Sequence, residues 1–223
     1  MGRHLTRLGL LLAVACGGPP DPCAIDGAPT DLDGLFGHLD ALGPSVEATC
    51  LVRSLERPLQ LTATSNPFSA QPAEGPRNPR IFVHSGDLVL SLVPAGYGAT
   101  VLEASERIEP GWSRKAELAL PVVTAGARQE AFARTANPEP PGSRCGDCHP
   151  GERDYSAAEP EAGWVSRALA PEALTVVPIE DLEVYARDCV PGVEARCDVL
   201  SALFEDDVEE AQFPDDYRPL PEI

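Results

Sequence analysis

The chain has 223 residues, and its 35 acidic side chains outnumber 17 basic ones for a formal net charge of −18. Nucleic acid demands the opposite sign, and no basic stripe interrupts the acid, so a nucleic-acid partner is excluded; the charge serves solubility first and the steering of basic partners or cations second. A hydrophobic content of 43% permits a packed core, while 24 prolines and 19 glycines predict many turns and few long helices.

Residues 1–15 have the three parts of a secretory signal. Arg3, His4 and Arg7 form a basic start, Leu8 to Ala15 form an apolar run, and small residues precede a cysteine. A spanning helix needs about 20 apolar residues, so this run predicts a removable signal rather than a permanent anchor. The junction Leu12-Ala13-Val14-Ala15-Cys16 resembles the lipobox of bacterial lipoproteins, with Ala13 where leucine is usual. The resemblance implies lipidation at Cys16, attachment to a membrane through that lipid, and a place in the cell envelope outside the cytoplasm. Ala13-x-Ala15 also fits ordinary signal cleavage, which releases a soluble protein. Residues 16–29 begin with Gly17-Gly18-Pro19-Pro20-Asp21-Pro22, a composition that cannot pack and predicts a tether. Loss of Arg3 and Arg7 with the signal leaves 15 basic against 35 acidic residues, a net charge of −20.

Residues 30–57 predict a short helical segment. Thr30-Asp31-Leu32-Asp33 resembles a helix start, Leu32, Leu35, Phe36, Leu39 and Leu42 recur at helical spacing, and Gly43-Pro44 ends the run. Residues 58–136 change period. Leu59–Thr64, Arg80–His84, Asp87–Val93, Thr100–Ile108 and Lys115–Leu120 are short alternating runs bounded by Gly and Pro, which predict antiparallel strands. An Ala- and Glu-rich stretch, Thr100–Arg107, also admits a helix. Residues 137–144, with Asn137-Pro138-Glu139-Pro140-Pro141-Gly142, predict a linker. Residues 145–223 predict a helical region: helices over Ala162–Leu169, Ile179–Cys189 and Glu194–Phe204, then an acidic tail exposed or laid over the surface. The expected class is therefore α+β: an antiparallel β-sandwich or open barrel followed by a small helical C-terminal region.

One motif carries chemistry. Cys145-Gly146-Asp147-Cys148-His149 is C-x-x-C-H, the attachment pattern of c-type haem. The spacing lets two thiols reach the two vinyl groups of one porphyrin while the next residue brings an imidazole to the iron. Here the chain resembles the c-type cytochromes, and the resemblance implies that Cys145 and Cys148 form thioethers and that His149 is the proximal iron ligand. Three other readings stand beside it: a local Cys145–Cys148 disulfide, a structural metal site using His149, and a redox dithiol, for which the usual βαβ setting is missing. With those two cysteines on haem and Cys16 on lipid, four remain in an oxidising compartment. Cys23–Cys50 and Cys189–Cys197 are the local pairings, one of three possible connectivities.

A second axial ligand is less well marked. The single methionine is Met1, which leaves with the signal. His84, on a strand with Phe82 on its face, is a possible distal ligand; His38 is the mature chain's other histidine. A haem slot walled by Trp164, Val165, Leu169, Leu174, Val176, Val177, Ile179, Leu182 and Tyr185 is one use of those apolar residues, and an ordinary helical core is the other. No Gly-rich phosphate loop, G-x-S-x-G elbow or H-E-x-x-H is present, so no catalyst is expected. The sequence thus predicts an exported, membrane-anchored lipoprotein with one covalent haem c, for electron transfer with an unspecified redox partner or for haem-based binding. The competing expectation is a non-enzymatic envelope binding or scaffold lipoprotein in which Cys145–Cys148 is a structural disulfide.

Overall fold

The structure is a computed structural model that describes residues 23–25, 27–137, 139, 141–156 and 163–219. The expected signal, Cys16 and the first part of the tether lie outside the described residues. Among the described residues no helix is long and apolar enough to cross a membrane.

The fold is α+β and is built on one large, mostly antiparallel sheet. Its strands are β1 (Leu59–Thr64), β2 (Arg80–Ser85), β3 (Leu88–Leu92), β4 (Val101–Glu109), β5 (Trp112–Ala119), β6 (Arg153–Asp154), β7 (Trp164–Arg167) and β8 (Val208–Glu210), in the spatial order β6-β7-β5-β4-β3-β2-β1-β8. Only the β1–β8 pair is parallel. The order has two ends, so the sheet is open and does not close into a barrel. Five helices contribute to its apolar side: α1 (Leu32–Leu42), α2 (Ala48–Arg53), α3 (Ala127–Thr135), α4 (Ile179–Arg187) and α5 (Ala195–Leu203).

Alternation along the strands decides what each face does. Leu59, Leu61 and Ala63, then Ile81 and Val83, Leu88, Leu90 and Leu92, Leu102 and Ala104, and Ala116 and Leu118 all enter one continuous core with the helices. The intervening residues share the other face. Register aligns Thr62, Phe82, Ser91, Glu103 and Glu117 in one row across it, and Gln60, His84, Val89, Ser105 and Lys115 in the next. The helices therefore bury one side of the sheet and leave a polar side for loops and the C-terminal segment to cover.

The expected helix around Thr30 is α1. Its N-cap is Asp31, whose Oδ1 accepts from the Gly34 N–H at 2.6 Å, and Leu32, Leu35, Phe36, Leu39 and Leu42 are buried. Asp31→Ala is expected to cost about 1 kcal/mol, the usual loss for an N-cap carboxylate; urea unfolding measures it, and an unchanged midpoint would show the cap to be idle. The β2–β3 hairpin turns through Gly86-Asp87 with Gly86 at φ 62. A Cβ on Gly86 would also lie 2.8 Å from Thr30 Cβ, so glycine is required there twice over.

The C-terminal part is interwoven with the sheet. Val208–Glu210 lies along β1, and Arg218–Pro219 pairs with Leu169–Ala170, so the tail covers the surface rather than leaving it. Residues Ala136–Asn137 pair with Gly142–Ser143 across the Pro-rich stretch. The helix expected over Ala162–Leu169 is not formed: Trp164–Arg167 is strand β7, with Val165, Ser166 and Arg167 paired to Arg114, Ser113 and Trp112 of β5. A free strand edge with a row of unpaired amides outweighs the weak helical preference of that short segment. Conversely, α3 forms within the stretch read as all strand. Its Ala127, Ala131 and Phe132 are buried, and Phe132 meets Phe36 of α1 edge-on at 6.1 Å.

Two disulfides join Cys23 to Cys50 and Cys189 to Cys197. The first ties the chain before α1 to α2. The second staples the corner between α4 and α5, where loop-closure entropy for so short a loop is worth about 2–3 kcal/mol.

Candidate functional site

The polar face of the sheet carries the C-x-x-C-H segment. Gly142–Ser143 leads into a short 3-10 turn, Arg144–Asp147. Ser143 Oγ accepts from the Cys145 N–H at 3.1 Å and caps the turn, while the Ser143 N–H donates to Glu152 at 2.9 Å. Gly146 packs so closely on Glu152 that a Cβ would lie 3.0 Å from its carboxylate. The Cys148 and His149 N–H groups both donate to the Cys145 carbonyl, at 3.2 and 2.8 Å. The pentapeptide is thus wound as one tight turn.

Cys145 and Cys148 are both thiols; they are not bonded to each other, whereas the other four described cysteines are all in disulfides. The local disulfide considered from sequence is therefore not formed. Cys148 is exposed and Cys145 half-buried. Burial pushes the Cys145 thiol up, with Lys115 and the Ser143 hydroxyl acting in the opposite direction.

His149 is held from behind. Its Nδ1 lies 2.8 Å from the Arg167 carbonyl, an acceptor, so Nδ1 carries the proton and donates. The Arg167 N–H in turn donates to the Pro150 carbonyl at 3.3 Å. The Arg153 and Arg167 guanidiniums lie 4.0 and 4.2 Å from the ring centre of Trp112, which steadies the strand that supplies that carbonyl. Burial, with Lys115 and Arg80 nearby, pulls the imidazole down to about 3, against the opposing effect of the Arg167 bond. The ring is accordingly neutral at ordinary pH, with the Nε2 lone pair unprotonated, which is the form that binds metal.

Cys145, Cys148 and His149 line a single cavity of about 590 Å³. Its apolar walls include Phe68, Phe82, Tyr97, Val101, Leu169 and Pro171. Its charged walls carry two ion pairs, Arg80 with Glu103 and Arg134 with Glu117, the latter at 2.7 Å, together with Arg144. A smaller cavity of about 90 Å³ adjoins it at His149 and is lined also by Lys115, Phe213 and Tyr217. Lys115 is the chain's single lysine. Its Nζ donates to Ser113 and Ser166 at 2.9 and 2.7 Å, and burial pushes it down to about 8.

The residues present fit a covalent haem. The donor set is two unbonded thiols and a neutral imidazole oriented by a backbone carbonyl, as metal-bound histidines are. All three face one cavity whose volume falls within the roughly 300–1,000 Å³ of cofactor sites. The mix of aromatic walls and arginines suits a flat apolar ring with acidic edges. Among the described residues no group of three or more His, Cys, Asp or Glu side chains is placed to hold a metal ion directly.

The other sequence candidates are placed elsewhere. His84 is on the same face of the sheet but outside the 590 Å³ cavity: its Nε2 meets Thr62 Oγ1 at 2.8 Å, and Phe213 stacks edge-on against its ring at 4.7 Å. His38 belongs to α1 on the opposite side, with Nε2 2.7 Å from Ser54 Oγ. Of the nine apolar residues considered for a haem slot, Leu169 alone lines the cavity. Val177, Ile179 and Leu182 instead enter the helix-side core, and Leu174 is exposed. The groups that support the site — the Arg167 carbonyl, Glu152, Lys115, Glu103 and Glu117 — were missed. For Glu103, Lys115 and Glu117 the only signal was their polar phase on β4 and β5.

Burial lowers His84 from 6.5 to about 4. The unfolded chain then binds a proton that the folded one refuses, so this histidine adds nothing to instability above pH 6.5 and removes stability as pH falls from there toward 4. The loss approaches about 3 kcal/mol at the acid end. His84→Gln is expected to flatten that part of the stability–pH curve, measured as urea midpoints at pH 7 and pH 4; parallel curves for the two proteins would contradict it.

Comparison with known protein families, with characterised proteins and with solved structures gives no match.

Proposed function

We propose that the protein is an exported, lipid-anchored haem protein that carries one covalent c-type haem at Cys145, Cys148 and His149. The observation that carries this reading is selective: the two cysteines of the C-x-x-C-H turn stay thiols while the other four described ones pair, and the turn's histidine shares their cavity with Nδ1 already engaged. When bound, the haem supplies an iron that accepts and returns one electron or binds a small molecule.

The chain's own part is attachment and orientation. Cys145 and Cys148 would hold the ring through thioethers, each thiol adding to one vinyl group with no leaving group needed. Cys145 and Cys148 sit three residues apart on one turn and so address both vinyl groups of a single ring. His149 offers Nε2, and its bond to the Arg167 carbonyl fixes the ring plane and raises its basicity as a ligand. Arg144, which lines the cavity outside its two ion pairs, would be the cation for a propionate, and Phe82 and Val101 would pack against the ring. The lipid on Cys16 and the envelope location rest on the lipobox resemblance and on the Gly- and Pro-rich, tether-like start of the mature chain.

The test is expression of the signal-bearing chain in a host with a covalent haem-attachment system, followed by a denaturing gel stained for haem. A stained band at the chain's mass is expected. A colourless band in a host that stains its own c-type cytochromes overturns the proposal and leaves a binding or scaffold lipoprotein. Mass analysis of the N-terminal peptide tests the anchor separately: acylated Cys16 is expected, and an unmodified terminus removes it.

A further inference from the structure

We infer that no side chain among the described residues ligates the iron that His149 would hold from its other side, and that this side is open to a small exogenous ligand such as carbon monoxide. The inference rests on the haem assignment and deepens it, from haem carrier to ligand-binding haem.

Strong sixth ligands are few in this chain, and each is accounted for. The one methionine, Met1, and one of four histidines, His4, precede Cys16 and are removed if the signal is cleaved there. His149 is the proximal ligand. His38 lies on the helix side of the sheet, where Ser54 takes its Nε2 and a Cβ on Gly27 would touch its Nδ1 at 2.5 Å. His84 is closed off by the C-terminal segment. Phe213 packs on its ring at 4.7 Å and on Phe82 at 5.1 Å, Thr62 Oγ1 engages its Nε2 at 2.8 Å, and His84 does not line the large cavity. The only lysine, Lys115, lines the smaller cavity rather than the larger one, and Ser113 and Ser166 hold its Nζ at 2.9 and 2.7 Å.

Apart from the attachment turn, the large cavity presents a mixed wall of aromatic, aliphatic and neutral polar side chains with Arg144, and its two carboxylates, Glu103 and Glu117, are taken by Arg80 and Arg134. Guanidinium is always protonated and cannot donate a lone pair to iron. Tyr97 is the remaining candidate, and its side chain stands at the mouth, 77% exposed. Iron in a ring held by the two thiols and one imidazole would then have five ligands as far as the described side chains supply them.

The experiment uses the haem-loaded, full mature chain. Haem is first quantified in denatured protein; then the ferric EPR and optical spectra, and carbon monoxide binding to the dithionite-reduced protein, are recorded for the wild type and for His84→Gln, Lys115→Met and Tyr97→Phe. Expected are a high-spin ferric spectrum, single-phase carbon monoxide association whose rate rises linearly with concentration, and the same high-spin ferric signature in all three variants. A low-spin six-coordinate ferric spectrum, a carbon monoxide rate that saturates with concentration, or a tyrosinate charge-transfer band lost in Tyr97→Phe overturns the inference while leaving the haem in place. Denatured protein free of covalent haem overturns both the inference and the assignment beneath it.

Discussion

A chain with alanine at both Cys145 and Cys148 is expected to leave the haem-attachment host colourless, with haem stain reduced to background, while remaining folded. Neither thiol enters the core, and both disulfides lie elsewhere, so far-ultraviolet circular dichroism and the urea midpoint of the apoprotein should match those of the parent. Single replacements are expected to retain one thioether, with less haem per chain and a shifted haemochrome band. Loss of stain with loss of fold would say only that the segment is structural; Cys145→Ser alone guards against that, because it keeps the half-buried site polar and small. Full staining of the double variant would contradict the account, since no other pair of cysteines is free to hold the ring.

The second large effect concerns stability. Glu106 of β4 faces the helix side, and its Oε2 accepts from Arg114 Nε at 2.9 Å and from the Leu32 N–H at 3.0 Å, with a further Arg114 contact at 2.8 Å. The side chains of the pair are 6% and 15% exposed. One carboxylate thus joins two strands to the first turn of α1. Glu106→Ala would take from the nearly buried Arg114 guanidinium its closest carboxylate, with Asp33 standing further off at 4.0 Å. Removing one partner of such a pair costs about 3–5 kcal/mol, which for a chain of this size corresponds to a Tm lowered by roughly 10 °C. Exposed pairs such as Arg196–Glu194 should contribute less than about 1 kcal/mol. Calorimetry of Glu106→Ala beside Glu194→Ala separates the two cases, and similar Tm values for both variants would show that the buried pair does not anchor α1. Replacing Glu106 and Arg114 together by Leu and Met should recover much of the loss, because neither buried charge of the pair then remains.

The parts of the fold legible beforehand are those where a local period matches a long-range surface. Leu32 to Leu42 repeats every three or four residues because one stripe faces the sheet, and Leu59 to Leu120 alternates because one face is buried and the other is not. The short separation of Cys189 and Cys197 made their pairing readable. Trp164–Arg167 was not readable in that way. It is a strand because the edge of β5 needs a partner, and nothing within four residues encodes that need. Helix α3 was hidden for the opposite reason: Ala127, Ala131 and Phe132 keep helical spacing, but they sit between stretches of strand and carry little hydrophobicity.

The site divides similarly. Cys145, Cys148 and His149 are consecutive in a motif whose spacing is its chemistry, so they were found. The cavity they face is a product of register. Phe82, Glu103 and Glu117 become neighbours only through the pairing of β2 with β3, β3 with β4, and β4 with β5. Arg167 contributes a carbonyl, which no side-chain pattern can reveal. The apolar residues of the C-terminal region could not be assigned to a haem wall or to a core from periodicity alone, because both uses need the same spacing; Val177, Ile179 and Leu182 went to the core.

The most direct measurement is mass spectrometry of the tryptic peptide Cys145–Arg153 from protein matured in an attachment-competent host and alkylated before digestion. The account predicts a peptide carrying the mass of one haem, with neither cysteine alkylated. A peptide with both sulfurs alkylated, or with the two joined to each other, would contradict it.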